Sequence, residues 1–148
     1  MSGPYPDRCK ENRGRQTASR ALVARCHNVC VASKRQIFVG GVPIGGGAPV
    51  AVQTMTKTET ANLEATMGQI HKVAEAGADL VRVAVPRDDD VVALKTIVKQ
   101  SPIPVIADIH FNHTLALKAI DAGAHCIRLN PGNIGGPEKV AEVADRRP

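Results

Sequence analysis

Two arginines stand inside apolar runs, Arg82 in "DLVRVAV" and Arg128 in "HCIRLN". A guanidinium is costly to bury unless an anion or a satisfied hydrogen-bond network meets it. The two stretches are versions of one pattern. "EAGADLVRVAVP" (75–86) and "DAGAHCIRLNP" (121–131) each give an acid, Ala-Gly-Ala, a few apolar residues, an arginine and soon a proline. This repeat predicts Arg82 and Arg128 at equivalent depths in two strands, facing one space. Between them in the chain, "IPVIADIH" offers Asp108 and His110, two residues apart. Two arginines against one carboxylate leave a positive surplus, which suits a phosphate or diphosphate bound through paired N–H groups. The competing reading is an internal salt bridge, with Asp108 pairing one arginine and no ligand involved. His110 offers a proton donor or a hydrogen bonder to an oxygen anion, against the alternative of a histidine satisfied within the structure. The second run continues into "NPGNIGG", where Gly132, Gly135 and Gly136 let backbone N–H groups approach a ligand. Pro137 follows at the first position of a helix whose positive end faces that loop.

These groups act together only if strands bring them to one end of a sheet, and the chain alternates strand and helix signals. A short hairpin is predicted at Ile37–Val39 and Val42–Ile44, around Gly40-Gly41. "VAVQT" near 50–54 reads as a strand. A helix follows at about 62–76, with Leu63, Met67, Ile70 and Ala74 on one face and Gly77 closing it. "DLVRVAV" is the next strand, and Asp88-Asp89-Asp90 open a helix at its positive end. "IPVIADIH" and a helix over about 113–122 come next, then "HCIRLN" and the helix at Pro137. Four such units predict an α/β fold with a parallel sheet and right-handed crossovers. An open doubly wound sheet and a TIM-type (β/α)8 barrel both satisfy this pattern. A barrel takes eight units and about 250 residues, so residues 35–148 would form the first half of one.

Strand alternation tests the convergence. With Arg128 inward, Cys126 and Asn130 also point inward, while Ile127 and Leu129 face the helices. The same phase turns Leu80, Arg82 and Ala84 inward, with Ile106, Asp108 and His110. Gln53 falls inward between Val52 and Thr54. One choice of phase therefore gathers Gln53, Arg82, Asp108, His110, Arg128 and Asn130 at one mouth, and leaves His71, His113 and His125 peripheral.

Composition narrows the function classes. Hydrophobic residues make up 43% of the 148, but aromatics only 2%, which argues against stacking platforms for single-stranded nucleic acid. The net charge of +5 is uneven. Residues 1–35 hold eight Lys/Arg and two Asp/Glu, and residues 36–148 hold eleven and twelve, so the body is near neutral. The basic segment 1–34 is expected to be a disordered tail. No apolar run approaches the roughly 20 residues of a membrane span, and no signal-peptide core is evident. A cytoplasmic location is expected, or a plastid-type organelle if the tail is a transit peptide, against which Asp7 and Glu11 count. Cys26 and Cys30 form C-x3-C beside His27, but nothing downstream completes a metal site, so Cys9, Cys26, Cys30 and Cys126 read as reduced thiols.

"APVAVQTMTKTET", "GADLVRVAVP", "PVIADIHF" and "CIRLNPGNIG", in this order and spacing, resemble the N-terminal barrel of the 4-hydroxy-3-methylbut-2-enyl diphosphate synthase (GcpE/IspG) family from about Arg35 to Asp145. The resemblance implies a TIM-type barrel joined to a C-terminal iron–sulfur domain. It implies reductive ring opening of 2-C-methyl-D-erythritol 2,4-cyclodiphosphate in non-mevalonate isoprenoid synthesis. It also implies electrons from flavodoxin or ferredoxin and a homodimeric full-length enzyme. Arg82 and Arg128 match arginines that hold the diphosphate. Gln53, Asn130 and Asn133 would join them as substrate-binding residues, with Asp108 and His110 as catalytic ones. The family's [4Fe-4S] cluster is held by three cysteines and a glutamate of the C-terminal domain, which the four cysteines here do not match. A fragment without redox activity of its own is therefore expected, with two rivals. One is a non-catalytic truncated product. The other is a pterin-binding barrel of the dihydropteroate synthase type, which also places an anion at its strand ends.

Overall fold

The computed structural model describes residues 33–146. The tail expected over 1–34 lies almost wholly outside them, as do Cys9, Cys26 and Cys30. The described chain begins with an antiparallel hairpin, β1 (Gln36–Val39) and β2 (Val42–Gly45). Then follow β3 (Gln53–Met55), α1 (Leu63–Glu75), β4 (Leu80–Ala84) and α2 (Asp88–Gln100). The chain goes on through β5 (Val105–Ile109), α3 (His113–Asp121), β6 (Cys126–Leu129) and α4 (Pro137–Asp145). The four later strands form one parallel sheet in the order β3-β4-β5-β6, so α1, α2 and α3 are each a crossover between neighbours. This is the α/β architecture of consecutive TIM-barrel units.

Local signals set the boundaries. The Asn62 side chain accepts from the Ala65 N–H to open α1, and the Asn112 side chain accepts from Thr114 to open α3. The Ala-Gly-Ala repeat is a repeat in three dimensions as well. Gly77 and Gly123 take φ of +94° and +93°, a region that only glycine enters without strain. Each donates its N–H back to the last turn, to Ala74 O and Ile120 O. The chain is thereby turned into β4 and into β6 by the same device. β3 is shorter than the apolar run around it suggests. Val50 is 81% exposed, and residues 50–52 have no neighbouring ladder beyond the bonds from Asp79 and Leu80 to Val52 O.

The sheet has two unlike faces. Val81, Val83, Val85, Val105, Ala107 and Ile109 are fully buried and pack with Ile70, Leu94, Ile97, Leu115 and Ala116 of the helices. On the other face, Leu80 and Ile106 pack with Val39 of the hairpin. A side chain at Gly40 would meet Pro104 and His125, so the hairpin turn sits against the sheet's N-terminal end. The hairpin thus covers the base of the inner face and leaves its C-terminal end to the polar residues. Among the described residues no helix is long and apolar enough to cross a membrane.

Candidate functional site: two arginines on one buried carboxylate

The ladder fixes which side chains share the inner face. Met55 pairs with Arg82, Arg82 with Ile106 and Ile106 with Cys126. Two residues further on, Ala84 pairs with Asp108 and Asp108 with Arg128. Partners in a parallel ladder project to the same face, so the alternation read from sequence places Arg82, Asp108 and Arg128 together. Measured along this ladder the two arginines are not level, however. Arg128 stands two residues nearer the C-terminal ends than Arg82. The Ala-Gly-Ala repeat aligned them in sequence, while the stagger of tilted strands sets their true offset.

Asp108 lies between them and is 1% exposed. Its Oδ1 accepts a 3.0 Å hydrogen bond from Arg128 Nη1. Its Oδ2 lies 3.2 Å from Arg82 Nε and 3.5 Å from His110 Nε2. The Arg82 contact is one of charge rather than of direction, because the buried Nε–H of Arg82 has no hydrogen-bond acceptor among the described residues. The other end of Arg82 donates from Nη2 to Met55 Sδ at 3.3 Å, a soft and weak acceptor. One carboxylate therefore faces two permanent cations. The internal salt bridge weighed from sequence is present, with Asp108 joined to both arginines rather than to one.

The remaining expected residues divide. His110 follows β5, stays 44% exposed, and has its ring 5.9 Å from that of Phe111. Asn130 follows β6, but its Oδ1 accepts from Gly132 N–H at 3.1 Å, which folds it onto its own loop. Asn133 is exposed in that loop, its N–H donating to Asn130 O. Gln53 is not brought to the mouth. It pairs with Leu80, at the opposite end of the strand, and is exposed there. Alternation gave its face correctly but not its height, and Met55 takes the place beside Arg82.

Sequence reasoning also missed Asp90. Taken with Asp88 and Asp89 it read only as a charge at the positive end of a helix, yet it is 1% exposed. Its Oδ2 accepts from Arg87 N–H and its Oδ1 from Ala61 N–H, so it ties the loop after β4 to the loop after β3. The available signal was its position three residues after Arg87, where a carboxylate caps the helix start.

The described residues contain no group of three or more His, Cys, Asp or Glu able to hold a metal. Cys126, on the inner face, has its thiol pushed up from 9.0 by burial, an effect partly offset by its contact with Ile127 O. Burial opposes the thiolate form of this cysteine. The chemistry these residues support is anion binding and orientation.

Comparison with known proteins identifies the family. The GcpE TIM-barrel domain family matches residues 34–147. A 4-hydroxy-3-methylbut-2-en-1-yl diphosphate synthase (flavodoxin) of Ruegeria sp. strain TM1040 is 55% identical over 109 residues, covering 74% of this chain and 29% of that protein. The enzymes of the same name from Persephonella marina and Aquifex aeolicus are 57% and 56% identical, covering 74% and 75% of this chain and 31% of each protein. The chain thus spans somewhat under a third of the length of the curated relatives it matches. Among solved structures, dihydropteroate synthase of Yersinia pestis superposes with a TM-score of 0.60 at 18% identity, covering 77% of this chain and 44% of that one. At that identity the likeness is one of fold alone.

Proposed function

Because this chain belongs to the GcpE TIM-barrel domain family, we propose that it supplies the diphosphate-binding strands of a 4-hydroxy-3-methylbut-2-en-1-yl diphosphate synthase. The whole enzyme would reductively open 2-C-methyl-D-erythritol 2,4-cyclodiphosphate, taking electrons from flavodoxin, or from ferredoxin, and working as a homodimer. Its [4Fe-4S] cluster would supply the electrons at the reacting carbon, held by residues other than those described here. The relatives' shared name supports this reading. One structural observation carries it: two arginines, Arg82 and Arg128, share the one carboxylate of Asp108, which leaves a positive surplus.

In this reading Arg128 and Arg82 grip the diphosphate from staggered heights. Asp108 holds both guanidinium planes in place before the ligand arrives, so less ordering cost falls on binding. His110, partly exposed and 3.5 Å from Asp108 Oδ2, would donate a hydrogen bond or a proton to a substrate oxygen. Asn130 and Asn133 shape the loop that leads into α4, whose positive end faces the same anion. The test is calorimetric titration of the chain with the cyclic diphosphate. Charge-assisted hydrogen bonds contribute about 1.5–3 kcal/mol, so Arg128→Met should weaken binding roughly tenfold or more. Arg128→Lys should recover only part, because an ammonium lacks the fork. Lys118→Met, which removes an exposed partner of Asp88 outside the sheet, should stay within about twofold. Equal affinities for the parent and Arg128→Met would refute the reading.

A further inference from the structure

The loop after β3 is held far more tightly than a connection requires. Thr56 N–H donates to Arg82 O, which carries the ladder one step past the end of β3. Lys57 N–H donates to Gln69 Oε1 at 2.8 Å, and the Thr58 and Thr66 hydroxyls share a 2.8 Å bond. Glu59 O accepts from the Thr66 hydroxyl, and the Thr60 hydroxyl donates to Ala84 O. Ala61 N–H closes the series on the buried carboxylate of Asp90 at 2.9 Å. Each residue from Thr56 to Ala61 is thus fixed to α1, β4 or α2. The Lys57 ammonium is the exception: it is exposed, with no hydrogen bond or ion pair among the described residues.

Alternation gives the direction of that ammonium. Met55 faces inward, where it meets Arg82. Thr56 is buried and the Thr58 hydroxyl reaches Thr66 on α1, so both turn toward the helix layer. Lys57, between them, falls on the face of Met55. It lies two residues past Met55, the last residue of β3, which pairs with Arg82. Ala84, the β4 residue paired with Asp108, has almost no side chain. At about 4.8 Å per strand, the backbones of Lys57 and Arg128 stand about 14 Å apart, a span that two long cationic side chains close around a bridging anion. A fixed backbone under a free cation is a preorganised binding group.

We propose that Lys57 is a third anion-binding residue at this mouth, gripping the phosphate farther from Arg128. The proposal rests on the diphosphate reading above and deepens it, by assigning one end of the diphosphate to Lys57 with Arg82 and the other to Arg128. The experiment titrates the full chain with inorganic pyrophosphate and, in parallel, with inorganic phosphate. Lys57→Met should weaken pyrophosphate binding about five- to tenfold and phosphate binding less than twofold, since a single phosphate settles on the arginines. Lys57→Arg should restore most of the pyrophosphate affinity. The urea midpoint of both variants should match the parent, because the ammonium supports no contact in the fold. If Arg128→Met weakens pyrophosphate binding and Lys57→Met does not, the Lys57 assignment is wrong and the two-arginine site stands. If neither does, or the parent does not bind at millimolar pyrophosphate, the anion site itself is wrong. A Lys57→Met variant that loses stability rather than affinity would also overturn the proposal.

Discussion

Replacing Asp108 by asparagine should move stability and anion affinity in opposite directions. The side chain keeps its shape and can still accept from Arg128 Nη1, but the charge that two guanidinium groups share is gone. Breaking a fully buried ion pair costs about 3–5 kcal/mol. Here the arginine side chains keep 30% and 43% of their exposure, so water screens much of that loss and the lower limit is about 1 kcal/mol. A value near 2 kcal/mol is expected between these limits. With a urea m value of about 2 kcal/mol/M, the unfolding midpoint should fall by about 1 M. Pyrophosphate should bind more tightly, because the negative charge competing for both arginines is removed. For charges about 7 Å apart in a half-solvated site this is worth about 1–2 kcal/mol, or roughly five- to thirtyfold. Far-UV circular dichroism against urea and calorimetry with pyrophosphate read the two effects. Asp145→Asn, on the exposed end of α4, serves as the control and should change neither. An unchanged midpoint together with weaker pyrophosphate binding would refute the shared-counterion account, and would mean that Asp108 touches the ligand itself.

Asp90→Ala should cost about 2–4 kcal/mol in urea unfolding, because it strips the acceptor from the N–H groups of Arg87 and Ala61, and Asp90→Asn should recover part. Gly40→Ala should destabilise by about 1–3 kcal/mol, since its φ is +54° and the added carbon would lie 2.6 Å from Pro104 Cβ. Gly41→Ala, at φ +90° with no atom nearby, should cost only the strain, about 1 kcal/mol. In a variant lacking Cys9, Cys26 and Cys30, alkylation of Cys126 should show a midpoint above pH 9.0, as burial favours the neutral thiol. The same raised value means that the thiol's contribution to stability is complete below pH 9.0 and is lost as pH climbs through the folded-state midpoint. A midpoint at or below 9.0 would show that the thiol is solvated.

Most of the fold was legible because its signals are local. The Ala-Gly-Ala turns and Pro137 act within a few residues, and the elements fall where those signals place them. Facing was legible too, since alternation along a strand needs no partner. That is why Arg82, Asp108 and Arg128 could be assigned to one face before any neighbour was known. Height along the sheet depends on the register between strands, which no single strand encodes. The pairing of Gln53 with Leu80 drew that residue away from the mouth, and the pairing of Asp108 with Arg128 offset the two arginines. Asp90 shows the same limit. Its sequence marks a helix start, but only the approach of a loop 29 residues away buries it and gives its second oxygen a partner. Residue type and periodicity determined which groups this chain turns to one face. The stagger of four tilted strands decided which of them meet, because hydrogen-bond register is a property of pairs.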